Sequence, residues 1–162
     1  MAEFVTCNKV DLLYVLNGSG WSTCIVFVDK VPYELMPTHI FGDPLDALLD
    51  GFTQMLGGAD SNNILWHDEP GRFEWHIERL PEQHNLVAIS ISNCTPLAGP
   101  EFGTTRDIIF HTTLEVFATL ILYQARKIRD LIKLERDPKS RHPFPHGEFD
   151  TFERAFKGKY QG

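Results

Sequence analysis

The sequence predicts an α+β fold in which an antiparallel β-sheet carries helices packed on one of its faces. Two observations lead to this fold class. Segments with period-two alternation of apolar residues are separated by turn signals, and a smaller number of segments have the apolar periodicity of helices. The helices follow groups of strands, which is typical of α+β folds. The predicted order is β-β-β-α-β-β-β-β-α-α, in a single domain over residues 1–162.

The first part of the chain predicts three strands. Residues 10–16 alternate, and a Gly-rich turn at residues 17–20 leads into a returning strand. We expect four alternating residues to share one face of this second strand: Trp21, Thr23, Ile25 and Phe27. A third strand, at an edge or interrupted, is expected from about Tyr33 to Phe41, because two prolines limit its hydrogen bonding.

The first predicted helix begins after Asp43. This residue is a good N-cap, and Pro44 suits the first helical position. Five apolar residues then form one stripe that must face a core: Leu45, Leu48, Leu49, Phe52 and Leu56. A Gly-Gly pair at residues 57–58 ends the helix.

Residues 64–78 predict a β-hairpin, with Pro70 and Gly71 as the central turn residues. In this register His67 lies opposite Glu74. One face of the hairpin is apolar and is expected to pack under the helices: Ile64, Trp66, Phe73, Trp75 and Ile77. The other face is polar and stays open to a partner, because helices cover only one side of the sheet.

The remaining elements complete the predicted order. Two strands are expected at residues 86–92 and 107–111. A capping box of Thr112 and Glu115 opens the longest helix, which is predicted to end at about Glu135. A linker with three prolines (Pro138, Pro143 and Pro145) leads to a short helix at about 147–157. Its phenylalanines have helical spacing and predict that this helix docks on the core: Phe149, Phe152 and Phe156.

Charge excludes some partners. The net charge is -7, and a general nucleic-acid binder would need clustered cations. Residues 1–125 hold 5 Lys and Arg against 16 Asp and Glu, whereas residues 126–162 hold 10 against 6. The acidic part therefore favours a basic protein partner, to which it would be attracted electrostatically.

The sequence predicts a cytoplasmic protein that does not cross a membrane. The first residues have no basic segment followed by an apolar one, as a secretory signal would. The most apolar run, at residues 116–123, is shorter than the ~20 residues that span a bilayer. The three cysteines, Cys7, Cys24 and Cys94, are widely spaced and are expected to be buried free thiols.

No catalytic residues and no cofactor are predicted. The chain has no G-x-S-x-G motif and no cysteine-nucleophile signature. The nearest approach to a metal site is the group of His67, Glu74 and His76 on the polar hairpin face. A metal-binding protein or an enzyme that uses this group is the alternative to a binding protein.

The hairpin motif Trp66-x-x-Glu69-Pro70-Gly71-x-Phe73-x-Trp75 resembles that of a family of uncharacterised small bacterial proteins. That resemblance implies no catalytic residues. The profile of the chain, small, acidic and without a catalytic motif, also resembles immunity proteins of bacterial toxin systems, including contact-dependent growth inhibition. This second resemblance implies a protein that binds and neutralises a toxin domain, often a basic nuclease.

The leading hypothesis is therefore a cytoplasmic immunity protein that binds a cognate basic toxin domain. Its partner-binding residues are predicted on the open hairpin face and at the turn: His67, Asp68, Glu69, Glu74, His76 and Glu78. A third hypothesis is an oligomeric scaffold, in which the edge strand near residues 33–41 pairs with a second copy.

Overall fold

The α+β fold class and the order of its elements are confirmed in the computed structural model, which describes residues 4–134 and 143–162. The strands are β1 (Val10–Gly18), β2 (Trp21–Val28), β3 (Val31–Leu35), β4 (Ser61–Asp68), β5 (Gly71–Arg79), β6 (Leu86–Pro96) and β7 (Phe102–Thr113). The helices are α1 (Pro44–Leu56), α2 (Leu114–Leu134) and α3 (His146–Tyr160). The predicted end of the long helix at Glu135 and the linker proline Pro138 lie outside the described residues.

The strands form two antiparallel sheets rather than one. The first three strands pair in the order β1-β2-β3, and the last four pair in the order β4-β5-β6-β7. Helix α1 separates the two groups along the chain. The third strand is shorter than predicted: after β3 only Thr38 forms a further bridge, with Trp21.

Both sheets and all three helices enclose one hydrophobic core. Trp66 and Trp75 are packed ring to ring at 4.9 Å on the inner face of the four-stranded sheet. Phe117 of α2 contacts Trp75, and Tyr14 of β1 contacts Trp66 from the other sheet. The apolar hairpin face predicted from sequence is therefore confirmed as the centre of the fold, since all five of its residues are buried.

The β4–β5 hairpin has a different register from the predicted one. The central turn residues are Glu69 and Pro70, joined by a cis peptide bond, so that Asp68 pairs with Gly71. His67 consequently lies opposite Arg72, and not opposite Glu74. The shift is two residues, and because side chains alternate every two residues, each one keeps its predicted face.

The second strand buries the face opposite to Trp21, Thr23, Ile25 and Phe27. Its inner residues are Ser22, Cys24, Val26 and Val28. The pairing explains this, because Cys24 and Val26 lie beside the buried Tyr14 and Leu12. Cys94 is also buried, but Cys7 is exposed, so the expectation of three buried thiols is wrong for Cys7.

The first helix is capped by the predicted residue, and the second is capped one residue later than predicted. Asp43 accepts a hydrogen bond from the Leu45 N–H at 2.9 Å. At α2, the Thr113 hydroxyl accepts from the Val116 N–H at 3.1 Å, whereas Thr112 is buried at the end of β7. The predicted capping box of Thr112 and Glu115 is therefore wrong by one position.

The C-terminal helix docks on the core, as its phenylalanine spacing predicts. Phe149, Phe152 and Phe156 are all buried, and Phe144 is buried just before the helix. The helix packs against α1 and α2. Among the described residues, no helix has the length and apolar character needed to cross a membrane.

Candidate functional site

A cleft of about 570 Å³ opens at the turn end of the β4–β5 hairpin. It lies at the edge of the sheet face that the helices leave uncovered, which we call the outer sheet face. Residues from three separate parts of the chain line the cleft: Phe41, His67, Glu69, Pro70, Gly71, Arg72 and Phe102. Two of the six predicted partner-binding residues, His67 and Glu69, are among them.

Backbone hydrogen bonds hold the first wall of the cleft, which is formed by the loop that follows β3. The Thr38 N–H donates to the His67 carbonyl oxygen at 2.8 Å, and the His39 N–H donates to the Gly20 carbonyl oxygen at 2.7 Å. These two bonds tie the loop to both sheets. Phe41 then packs against the His67 ring, with the ring centroids 4.9 Å apart.

Arg72 forms the opposite wall and is held from two directions. Its guanidinium carbon lies 3.9 Å from the centre of the Phe102 ring, which is a cation–π contact. Its Nε lies 2.7 Å from a carboxylate oxygen of Glu74. The guanidinium is therefore in contact with both an aromatic ring and a carboxylate, and Glu74 offsets part of its charge.

Gly71 allows close approach of the strands at the base of the cleft. A Cβ atom at this position would lie 2.5 Å from the Cys94 carbonyl oxygen, so any larger residue would push β5 away from β6. Glycine is therefore required here by backbone contact, although the turn itself lies one residue earlier.

The structure places the other predicted residues outside the cleft. Glu74, His76 and Glu78 point outward along β5 and form part of the outer sheet face. Asp68 lies at the turn as predicted, but strand alternation places it on the side opposite to His67. Burial raises the pKa of the Asp68 carboxyl above its ordinary value.

The predicted His67, Glu74 and His76 group does not come together. His67 contacts Phe41, and His76 exchanges a 2.8 Å hydrogen bond with Asn63. In the part of the chain that the structure describes, no three His, Cys, Asp or Glu side chains are grouped as a metal site. The register shift is the physical reason, because it moves His67 two positions away from its expected partner.

The outer sheet face is predominantly acidic among its charged residues. Glu74 and Glu78 are joined by Asp107 of β7, which lies in line with Glu74 across the sheet and accepts a 2.6 Å hydrogen bond from Ser92. His76 Nε2 lies 3.8 Å from a carboxylate oxygen of Glu78. Sequence reasoning missed Asp107, because strand pairing with β6 is needed to place it beside the hairpin.

Sequence reasoning also missed Phe41, Arg72 and Phe102 as site residues. Phe41 was expected at the end of a strand, and Phe102 belongs to a strand that is longer than predicted. The side chains of Phe41 and Phe102 are unusually exposed for phenylalanine, at 63% and 38%. That signal exists only in the folded chain, since nothing in their sequence positions brings these residues together.

A second polar cluster lies below the surface of the three-stranded sheet. The Ser22 hydroxyl is hydrogen-bonded to His39 Nε2, and His39 Nδ1 lies 3.9 Å from a carboxylate oxygen of Asp43. This order of groups is that of a hydrolase triad. However, Ser22 is 0% exposed, so a substrate carbonyl has no access to its hydroxyl. The cluster is therefore structural, linking β2 to the start of α1.

Comparison of the chain with family models, curated proteins and solved structures finds no significant match.

Proposed function

We propose that the protein is an immunity-type binding protein, which neutralises a basic toxin domain in a bacterial cytoplasm. The single observation that carries the proposal is the combination of the acidic outer sheet face with the adjoining cleft. A protein interface needs both features. Charges of one sign attract the partner and orient it, while a concave, partly apolar pocket supplies the contacts that keep it bound.

The distribution of charge supports a basic partner. The outer face presents Glu74, Glu78 and Asp107, and its Arg72 cation is already paired with Glu74. The hairpin turn adds Glu69, which is exposed. A basic domain that approaches this face meets carboxylates along β5 and at the turn, which favours fast association that weakens with salt.

The resemblance to immunity proteins supplies the toxin as the specific partner. It is a resemblance of size, charge and absent catalytic motif. The position of the cleft beside the open sheet face supports a macromolecular partner. A small acidic protein with such a surface can neutralise a basic domain by covering its active surface.

The experiment that tests the proposal is affinity capture followed by reconstitution. The immobilised protein is exposed to a lysate of its native host at low salt, eluted at high salt, and the eluate is identified by mass spectrometry. We expect one basic polypeptide, which is toxic when expressed alone and harmless when this protein is co-expressed. A captured polypeptide that is acidic, or whose toxicity is unchanged by co-expression, would contradict the proposal.

A matched pair of variants locates the binding surface. Replacing Glu69→Gln, Glu78→Gln and Asp107→Asn together should weaken binding of the captured partner about tenfold at low salt, since each interfacial ion pair contributes up to about 1 kcal/mol. The control combines Asp11→Asn, Glu34→Gln and Glu82→Gln, which neutralise three exposed carboxylates outside the outer sheet face and the turn. Equal weakening by both sets would contradict an interface on the outer sheet face.

A further inference from the structure

We propose that the cleft receives an arginine side chain of the partner, stacked on Phe41 and paired with Glu69. This inference rests on the proposed function, because it names the chemical group through which a basic partner is anchored. It adds a specific recognition site to what would otherwise be attraction between charged surfaces. Three features support this assignment: the Phe41 ring is partly open, the Glu69 carboxylate is free to pair, and the Arg72 cation is already in contact with Glu74.

Phe41 offers an open aromatic surface. Its side chain is 63% exposed although it packs on His67, so part of the ring remains available to a ligand. The face of an aromatic ring attracts cations, and arginine is the residue that most often stacks on it. Exposure of an aromatic ring to water is unfavourable. The backbone hydrogen bonds of Thr38 and His39 hold the loop that keeps the Phe41 ring at this position.

Of the charged residues that line the cleft, Glu69 is open to an incoming cation. Glu69 is exposed and, within the described part of the chain, forms no ion pair or hydrogen bond that would compete with a ligand. Arg72 is committed, because one face of its guanidinium covers Phe102 and its Nε meets Glu74 at 2.7 Å. The pairing with Glu74 offsets the repulsion that Arg72 would otherwise exert on a second cation.

The chemistry of the residues that line the cleft favours arginine over lysine. Its volume of about 570 Å³ lies within the range of roughly 300–1,000 Å³ that is typical of ligand pockets. A long side chain can therefore enter together with part of the partner backbone. The planar guanidinium can stack on one ring and still donate hydrogen bonds from its edge to Glu69, whereas an ammonium is compact and strongly hydrated.

The test is an NMR titration of the uniformly labelled, full-length protein with N-acetylargininamide. N-acetyllysinamide and N-acetyltryptophanamide serve as comparison probes. We expect saturable shifts at the amides of Gly71 and His67 with the arginine probe, and at least threefold weaker binding of the lysine probe. Tighter binding of the tryptophan probe at the same amides would overturn the proposal in favour of an aromatic anchor.

Two conservative variants test the assigned contacts without emptying the cleft. Phe41→Leu keeps an apolar side chain but removes the ring, and Glu69→Gln keeps the shape of the side chain but removes its charge. Each should raise the dissociation constant of the arginine probe about threefold. Phe4→Leu and Glu82→Gln are the controls, because both residues are exposed and neither lines the cleft. Unchanged binding in both cleft variants, with native spectra, would overturn the proposal.

The outcomes separate this inference from the proposed function. If the arginine probe binds at the cleft while the captured partner proves acidic, the proposed function fails and the arginine site stands. If a basic toxin is captured while the arginine probe causes no shifts and Phe41→Leu leaves toxin affinity unchanged, the arginine site fails and the proposed function stands.

Discussion

At the scale of single residues, the polar cluster of Ser22, His39 and Asp43 holds the loop that carries Phe41. Ser22 is hydrogen-bonded to His39, and Asp43 lies beyond His39 while it also caps α1. Tyr14 adjoins the same cluster, and burial raises the pKa of its hydroxyl well above the ordinary value, with the Ser22 hydrogen bond acting in the opposite direction. Because His39 belongs to this loop and lies two residues before Phe41, the polar cluster supports one wall of the cleft.

Replacing Ser22 by Ala should lower the free energy of unfolding by about 1–3 kcal/mol. The reason is that the substitution removes a buried hydrogen-bond partner of His39 while leaving the imidazole buried. Urea denaturation of the wild type and the variant measures the difference. Ser61→Ala is the control, since Ser61 is exposed at the start of β4. A loss of unfolding free energy no larger than that of the control would show that the polar cluster does not stabilise the fold.

The sequence identifies individual site residues only when their own strand places them. The outward direction of Glu74, His76 and Glu78 follows from alternation along β5, and the prediction is confirmed for these residues. The positions of Phe41 and Phe102 depend on contacts with distant parts of the chain. No periodicity encodes such contacts, which is why the cleft could not be predicted.

At the scale of elements, the β4–β5 hairpin shows what a local pattern determines and what it leaves open. The alternation fixed which residues are buried, and Trp66 and Trp75 are buried as predicted. It did not distinguish a turn at Pro70-Gly71 from one at Glu69-Pro70, because the two registers differ by two residues and bury the same face. The metal hypothesis required His67 to lie opposite Glu74, and the observed register pairs His67 with Arg72 instead.

The C-terminal helix is joined to α2 by a charged contact in addition to its phenylalanines. A carboxylate oxygen of Glu153 accepts hydrogen bonds from Arg126 Nε at 3.2 Å and from its Nη2 at 2.8 Å. Lys157 lies 3.3 Å from the other oxygen. Arg126 is the main cause that lowers the pKa of the Glu153 carboxyl, with Lys157 acting in the same direction.

This lowered pKa predicts a pH-dependent contribution to stability. The contribution is present above the ordinary carboxyl pKa of 4.5 and is lost as the pH falls through the lowered folded-state pKa. Glu153→Gln should therefore reduce the free energy of unfolding by about 0.5–1 kcal/mol at neutral pH and by less at about pH 3. Urea denaturation at both pH values measures this, with Asp150→Asn on the same helix as the control. An equal loss at both values would contradict the ion-pair explanation.

At the scale of the whole molecule, two sheets and three helices share one core and leave the outer sheet face open. The sequence predicted the class and order of elements, because alternation and helical periodicity are local properties. It predicted one sheet where there are two, because strand pairing depends on contacts between distant segments. The same non-local pairing aligns Asp107 with Glu74 and so completes the acidic surface.

The central claim is that this acidic surface binds a basic partner. The most direct test is the dissociation constant of the captured partner, measured by calorimetry at several salt concentrations for the wild type and for the variant with Glu69→Gln, Glu78→Gln and Asp107→Asn. The wild-type affinity should fall steeply with salt, and the variant should bind more weakly with a shallower dependence, because three interfacial charges are missing. Identical salt dependences for the two proteins would contradict the claim.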